Sequence, residues 1–272
     1  MKNYSLYGGT PAMKILVIHG SMRKGNTYSL TKEITARLLA KPDITIREIS
    51  IADLELPLCR SCHLCLTKGE EFCPAYSTMR EVQSALLDSD GVILSGVTYM
   101  WALNGAMKNL LDHLAYGFHR PALFNKKGMV VVTSTGTGEK NVAKYLKTVL
   151  GQWGINRATV IAENEKEKKL LSPAKRTAKL CRATERFYQQ LTSHKPLPPS
   201  LKSIAVHNAF RAMSLSEFSE SASDTRYWSR DELNRAYPVD AGAFKYAVGS
   251  LVFTASKHMT KLVGGLYEKR KK

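Results

Sequence analysis

Ile18-His19-Gly20-Ser21-Met22-Arg23-Lys24-Gly25-Asn26-Thr27 follows a short β-branched, apolar run, Ile15 to Ile18, and leads directly into a helical pattern. A chain that leaves a buried strand, turns through glycine, serine and asparagine, and enters a helix gathers free backbone N–H groups at one spot. With the positive end of the helix dipole behind them, these groups form an anion site. Ser21, Asn26 and Thr27 can add side-chain donors, and Arg23 or Lys24 can add charge. The glycine spacing is not the dinucleotide fingerprint, and no Gly-Lys-Ser/Thr follows. The loop therefore suits a monophosphate rather than a pyrophosphate or triphosphate. On local grounds alone the alternative is an ordinary strand-to-helix turn.

Outward from this loop, strands and helices alternate. Residues 14–19 form a buried strand, and residues 27–40 carry Leu30, Ile34 and Leu38 at helical spacing, with Pro42 just past the end. Ile44, Ile46, Ile49 and Ile51 mark a second extended segment. Further strands are expected at residues 91–95, 129–133 and 158–162, and helices at residues 79–87, 104–116, 142–150 and 174–191. Several strands are apolar on both faces, as in a parallel sheet covered by helices on both sides. Five such strands fit the flavodoxin-like doubly wound α/β order 2-1-3-4-5, which puts a ligand at the carboxyl ends of the strands near the switch between the first and third.

Two more loops then fall at that end. Residues 96–104 carry Thr98, Tyr99, Met100 and Trp101, where a flat ring could stack. Residues 134–139 offer Ser134, Thr135 and Gly136, small groups suited to close approach of a polar heterocycle. A monophosphate at the first loop and a flat heterocycle between the other two describe flavin mononucleotide (FMN). Taken singly, Tyr99 and Trp101 could merely cover the core.

The chain has 272 residues, with 40 Lys or Arg against 23 Asp or Glu and a net charge of +17, an excess that favours anionic ligands. The positive charge is spread widely and no nucleic-acid motif is present, so a basic nucleic-acid-binding protein is the weakest of the functional alternatives. Residues 1–12 lack the apolar core of a secretory signal, and no apolar stretch approaches bilayer-spanning length. A cytoplasmic protein without a transmembrane segment is expected. Pro196, Pro198 and Pro199 mark a break. The expected organisation is an N-terminal extension (1–12), a flavodoxin-like FMN-binding domain (13–194) and a helical C-terminal extension (195–272). A helical stripe there, Phe244, Leu251, Met259, Leu262 and Leu266 among it, is expected to pack on the core or a second subunit. The tail, residues 269–272, is expected to be solvated and disordered.

Gly20 to Thr27 resembles the phosphate loop of the NADPH-dependent FMN reductase family, usually written G-S-x-R-x-x-G-N-T. Val97-Thr98-Tyr99 and Met107-Lys108-Asn109-Leu110-Leu111-Asp112 resemble that family's second loop and following helix, with His113 where an arginine is usual. The resemblance covers roughly residues 13–192. It implies that Ser21, Arg23, Gly25, Asn26 and Thr27 hold the FMN phosphate. It also implies that Thr98, Tyr99, Met100, Trp101, Ser134, Thr135 and Gly136 line the ring. The implied activity is an oxidoreductase taking hydride from NAD(P)H and reducing a small acceptor: a quinone, a flavin, a nitro or azo compound, or an iron complex. No catalytic acid or nucleophile is required. A homodimer or homotetramer is expected.

Four of the five cysteines, Cys59, Cys62, Cys65 and Cys73, cluster in one stretch, which in an untargeted chain argues for reduced thiols or metal ligation rather than disulfides. Clustered thiolates at such spacing suit a [4Fe–4S] cluster or zinc, and free thiols remain open. The spacing is similar to that of the iron–sulfur flavoproteins, a branch of the same family, although Ser77-Thr78 stands where two acidic residues are common. That likeness implies the alternative function of an electron carrier using FMN and a cluster.

Overall fold

The structure, a computed structural model, describes residues 12–233 and 237–271, with side chains described as far as Leu266. The described residues contain six strands: β1 (Met13–His19), β2 (Ile44–Ser50), β3 (Gly91–Tyr99), β4 (Ala102–Leu103), β5 (Lys127–Ser134) and β6 (Thr159–Asn164). Five run parallel in the spatial order β2-β1-β3-β5-β6, which is the expected 2-1-3-4-5 arrangement. The sixth, β4, pairs antiparallel with the end of β3.

Helices α1 (Asn26–Leu39), α2 (Leu64–Thr67), α3 (Tyr76–Asp88), α4 (Gly105–His113), α5 (Tyr116–His119), α6 (Glu139–Gln152), α7 (Glu165–Leu170) and α8 (Pro173–Thr192) are interleaved with the strands. Alternation of side chains along each strand divides the core into two layers. Leu16, Ile18, Val92, Leu94, Val130 and Val132 pack with α3, α4 and α6, through Val82, Leu110 and Leu146 for example. On the other face, Ile15, Val17, Ile93 and Val131 pack with Ile34 and Leu38 of α1 and Phe187 of α8. Every residue of β5 is buried, as a central strand covered on both faces requires. Each fully buried Leu or Ile contributes about 1.5–3 kcal/mol, so these two layers hold the sheet edge on which the loops sit.

Three local features differ from expectation. The helix expected over residues 104–116 ends at His113, where Leu114 N–H turns back to Leu111 O at 3.1 Å, and the short α5 follows separately. The strand expected at 91–95 continues to Tyr99 because β4 supplies its hydrogen-bonding partner. Helix α7 has Asn164 as its N-cap, whose side chain accepts from Glu167 N–H.

After α8 the described chain is helical: α9 (Leu201–Ser214), α10 (Ala222–Trp228) and α11 (Ala243–Lys271). Ser200 and Ser221 cap the first two by accepting from Ser203 and Asp224 N–H. Ile204, Tyr237 and Val239 form a small core against Phe124. Arg120 and Asp224, both buried, form an ion pair that ties α10 to the end of α5, with His119 Nδ1 2.7 Å from the same carboxylate. The stripe on α11 faces solvent, with Phe244, Leu251, Met259, Leu262 and Leu266 all exposed. The tail continues the helix to Lys271 rather than leaving it, as expected, disordered. The expected N-terminal extension lies outside the described residues except for Ala12.

Candidate functional site

Parallel register sets the loops side by side. His19 at the end of β1 is level with Ser95, Val97 with Thr133, and Ser134 with Asn164. The first loop leaves β1 through Gly20, whose N–H donates to Ser95 O at 2.8 Å. A Cβ on Gly20 would lie 2.4 Å from that same oxygen and 3.0 Å from Met107 Cγ, so only glycine fits. The loop folds on itself, with Ser21 Oγ donating to Arg23 O at 2.6 Å. Gly25 is the N-cap of α1, and no side chain caps it, which leaves the first-turn amides available to an anion. Arg23 and Lys24 are exposed beside it.

The side chains of two further loop residues are engaged within the fold. Thr27 is buried and its Oγ1 lies 2.5 Å from Thr133 Oγ1, which fastens the first turn of α1 to β5. Asn26 donates to Glu165 Oε1 at 2.7 Å, which brings a carboxylate of α7 to the anion loop. His19 beneath the loop is buried, with Nε2 3.2 Å from Glu48 Oε2 and its ring against Tyr28. Burial keeps its pKa below the ordinary histidine value despite the opposing hydrogen bond and charge of Glu48.

The second loop is a hairpin. Thr98 pairs with Leu103 and Tyr99 with Ala102, leaving Met100 and Trp101 as a two-residue turn with φ of 47° and 64°. Two successive positive φ values define the type I′ turn, which favours Asn-Gly. Methionine and tryptophan there carry backbone strain. They also face water: Met100 is 86% and Trp101 68% exposed, with Tyr99 beside them at 72%. The strained turn thus projects three large side chains from the carboxyl end of the sheet as an exposed ledge.

Behind the ledge, Thr98 Oγ1 is buried with no hydrogen-bond partner among the described residues. Asn104 Nδ2 donates to Gly20 O at 2.8 Å, binding the second loop to the first, and its Oδ1 is likewise buried and without a partner.

The third loop closes the triangle. Its Gly138, with φ of 100°, comes so near the hairpin that an added Cβ would lie 3.1 Å from both Thr98 Cγ2 and Trp101 Cα. Ser134 is buried and donates to Glu139 Oε2 at 2.8 Å, and Asn164 donates to Glu139 Oε1 at 3.2 Å. Burial pushes the Glu139 carboxyl up, but bonds from Ser134, its own backbone N–H and Asn164 outweigh it, leaving the pKa below the ordinary value. Thr135 and Gly136 are exposed, and the space around Gly136 is open.

The four clustered cysteines line a separate cavity of ≈ 470 Å³ together with Lys108, Asp112 and His113 of α4. Helix α4 therefore touches both sites, since Asn104 is its N-cap. His113 is buried, with Nε2 2.9 Å from Pro57 O and Nδ1 3.5 Å from Cys73 Sγ. A carbonyl can only accept, so Nε2 carries the proton and Nδ1 accepts from the thiol. Asn109 holds the same loop, accepting from Cys59 N–H at 2.8 Å and donating to Pro57 O at 2.9 Å. Arg120 fastens the other end, donating to Cys65 O at 2.6 Å and Leu66 O at 3.2 Å. Burial, reinforced by Cys73 and Cys59, raises the Cys65 thiol to about 11. All five cysteines are free thiols, and among the described residues no three candidate ligands are close enough to hold a metal.

The structure thus gathers the twelve residues expected around a flavin into three adjoining loops, with Thr27 and Ser134 turned inward as supports. Asn104, Glu139, Asn109 and Arg120 were not singled out from the sequence. Asn104 and Asn109 lie within quoted motifs and Glu139 at the end of the third loop, whereas the partners of Arg120 come from segments 50 or more residues away. The orphaned Thr98 hydroxyl, the uncapped helix and the open space at Gly136 fit a phosphorylated, flat, polar heterocycle. The cysteine cavity has the soft donor set of a cluster, and among the described residues its thiols are not drawn together into a metal-holding group.

Known proteins bear on this arrangement. An iron–sulfur flavoprotein of Archaeoglobus fulgidus is 34% identical over 145 residues, covering 53% of this chain and 64% of the relative. An iron–sulfur flavoprotein of Methanocaldococcus jannaschii is 34% identical over 123 residues, covering 44% of this chain and 61% of the relative. The chain thus spans less than two thirds of the length of either. A solved NADH:FMN oxidoreductase, in its apo form, superposes with a TM-score of 0.51 at 23% identity, over 66% of this chain and 90% of that one, and shows the shared fold. The model of one family matches residues 13–166, which contain all three loops and the four clustered cysteines, and on that match the chain belongs to the NADPH-dependent FMN reductase family.

Proposed function

We propose that this protein binds FMN at the three-loop site, takes hydride from NAD(P)H and passes the electrons to a small acceptor: a quinone, a free flavin, a nitro or azo compound, or an iron complex. The orphaned Thr98 hydroxyl behind the strained, exposed Met100–Trp101 turn is the observation that carries it. When bound, FMN supplies the exchange of a hydride for single electrons or electron pairs. The chain's own work is binding and orientation. The amides of the loop and the N-terminus of α1 take the phosphate, with charge from Arg23 and Lys24. Thr98 offers a hydroxyl to the ring's polar edge, Tyr99, Met100 and Trp101 supply apolar contact and exclude water, and Thr135 and Gly136 leave room.

No residue is assigned as a catalytic acid or nucleophile. Residues 13–194 are taken as the flavin domain, and a homodimer or homotetramer that covers the ledge is part of the same proposal, as is a cytoplasmic location. The test is uptake of FMN by the purified chain and oxidation of NAD(P)H in its presence; a protein that stays colourless after FMN addition and gel filtration would sink the proposal.

A second function has its own support: four cysteines around one cavity, beside the helix that also reaches the flavin loops. It is an electron carrier with a [4Fe–4S] cluster on Cys59, Cys62, Cys65 and Cys73. Anaerobic purification with an iron and zinc assay separates a cluster from zinc and from free thiols. Full NAD(P)H turnover by the Cys59→Ser/Cys62→Ser variant would count against the carrier.

A further inference from the structure

Helix α11 is 29 residues long, about 44 Å at 1.5 Å per residue. One side is fastened to the protein. Gly249 is buried, Phe218 packs on Gly264, the Arg211 guanidinium lies 4.5 Å from the centre of the Phe253 ring, and Lys245 Nζ donates to Pro199 O at 2.8 Å. The opposite side carries Phe244, Leu251, Met259, Leu262, Val263 and Leu266, each more than half exposed. At 100° per residue these lie on one stripe, with Ala247 and Ala255 filling gaps and the exposed His258 within it between Leu251 and Leu262. Ser250, Thr254, Lys257 and Lys261 run along one flank.

The charge decides what covers this stripe. Residues 241–267 contain no carboxylate, and across residues 243–272 seven basic side chains stand against one acid, Glu268. A second copy would set lysines against lysines with no carboxylates to pair them, the reverse of the flanking charge pairs that specify helix dimers. An anionic bilayer surface satisfies both features: the apolar stripe enters the boundary between headgroups and acyl chains, while Lys257 and Lys261 extend to the phosphates. No described helix is long and apolar enough to cross a membrane, so α11 would lie in the plane of the surface. We infer that α11 is a membrane-surface helix that docks the protein on anionic phospholipid.

Co-sedimentation of the full chain with vesicles of phosphatidylcholine, with and without phosphatidylglycerol, tests this. The anionic vesicles are expected to carry the protein down and the neutral ones at least about tenfold less of it. Leu251→Glu/Leu262→Glu should abolish binding, and Lys257→Glu/Lys261→Glu should weaken it at least about tenfold. All four side chains are exposed, so the variants should keep the circular dichroism spectrum and FMN uptake of the parent, readouts independent of lipid. Failure of the parent to sediment with anionic vesicles overturns the inference. Retained binding by Leu251→Glu/Leu262→Glu overturns it too, because net charge alone would then be responsible. So does a parent dimer that ignores vesicles and that the same variant converts to monomer, which would assign the stripe to a second copy.

Discussion

Replacing the strained turn by its preferred sequence, Met100→Asn/Trp101→Gly, separates the cost of the ledge from its use. The left-handed φ values of 47° and 64° cost an L-residue roughly 1–2 kcal/mol each, and Asn-Gly is the pair that a type I′ turn prefers. Little burial is lost, because Met100 is 86% and Trp101 68% exposed. Against full burial values of about 1.5–3 kcal/mol per side chain, the loss comes to about 1 kcal/mol for the pair. The free protein should therefore gain about 1–3 kcal/mol, or roughly 2–12 °C in melting temperature. FMN binding should move the other way, losing the apolar contact and at least about tenfold in affinity. Thermal melts with and without FMN read both. At a ligand concentration about 100 times the parent Kd, FMN stabilises the parent by about 2.7 kcal/mol, and a tenfold weaker site cuts that to about 1.4 kcal/mol. An unchanged FMN-induced shift would remove the ledge from the ring site, and an unchanged or lower melting point of the free variant would show that the turn stores no strain.

Three further outcomes follow from other parts of the structure. Gly20→Ala puts a Cβ 2.4 Å from Ser95 O and should cost about 1–3 kcal/mol by urea unfolding, with weaker FMN binding; a loss under about 0.5 kcal/mol would contradict the close approach. Glu165→Gln removes a carboxylate bonded to Asn26 of the anion loop and should tighten FMN binding about two- to fivefold at low salt, an effect that fades as salt rises. His207 is buried against the rings of Phe124, Trp228 and Tyr237, and burial, with a smaller push from Arg211, lowers its pKa to about 3. Between the ordinary value near 6.5 and about 3 the unfolded chain binds a proton that the folded chain refuses. Stability is therefore complete above that upper value and falls with acidification, by up to about 1.4 kcal/mol per pH unit. His207→Phe should flatten this slope in melts at about pH 5 and about pH 7.5, and an equally steep variant would place the acid sensitivity elsewhere.

The strand order was legible because β1, β3 and β5 are apolar on both faces, a pattern that only a doubly covered parallel sheet explains. The first loop was legible because its residues are contiguous and its chemistry is local. What escaped depends on contacts that no sequence period reports. Strand β4 is two residues long, too short for any period, and its turn carries Met-Trp where the recognisable signal is Asn-Gly. Ser134 reads as a loop hydroxyl until Glu139 and Asn164 are seen to claim it. Helix α4 ends at His113, whose ring bonds to Cys73 Sγ and Pro57 O, 40 and 56 residues away, contacts that no helical period reports. On α11 the period identified which residues share a face and left open what the face meets. The cysteine spacing predicted a common site, and the four do line one cavity, but spacing says nothing of how far apart the sulfurs stand.

An anaerobic titration of the purified chain with FMN, followed by NAD(P)H in the same cuvette, tests the central claim most directly. The account predicts a saturable complex in which flavin fluorescence changes on binding and flavin absorbance bleaches on addition of NAD(P)H, then returns when an acceptor from one of the proposed classes is added. Flavin that stays free in solution, or that binds at the three loops and is never reduced by either nicotinamide, would contradict it.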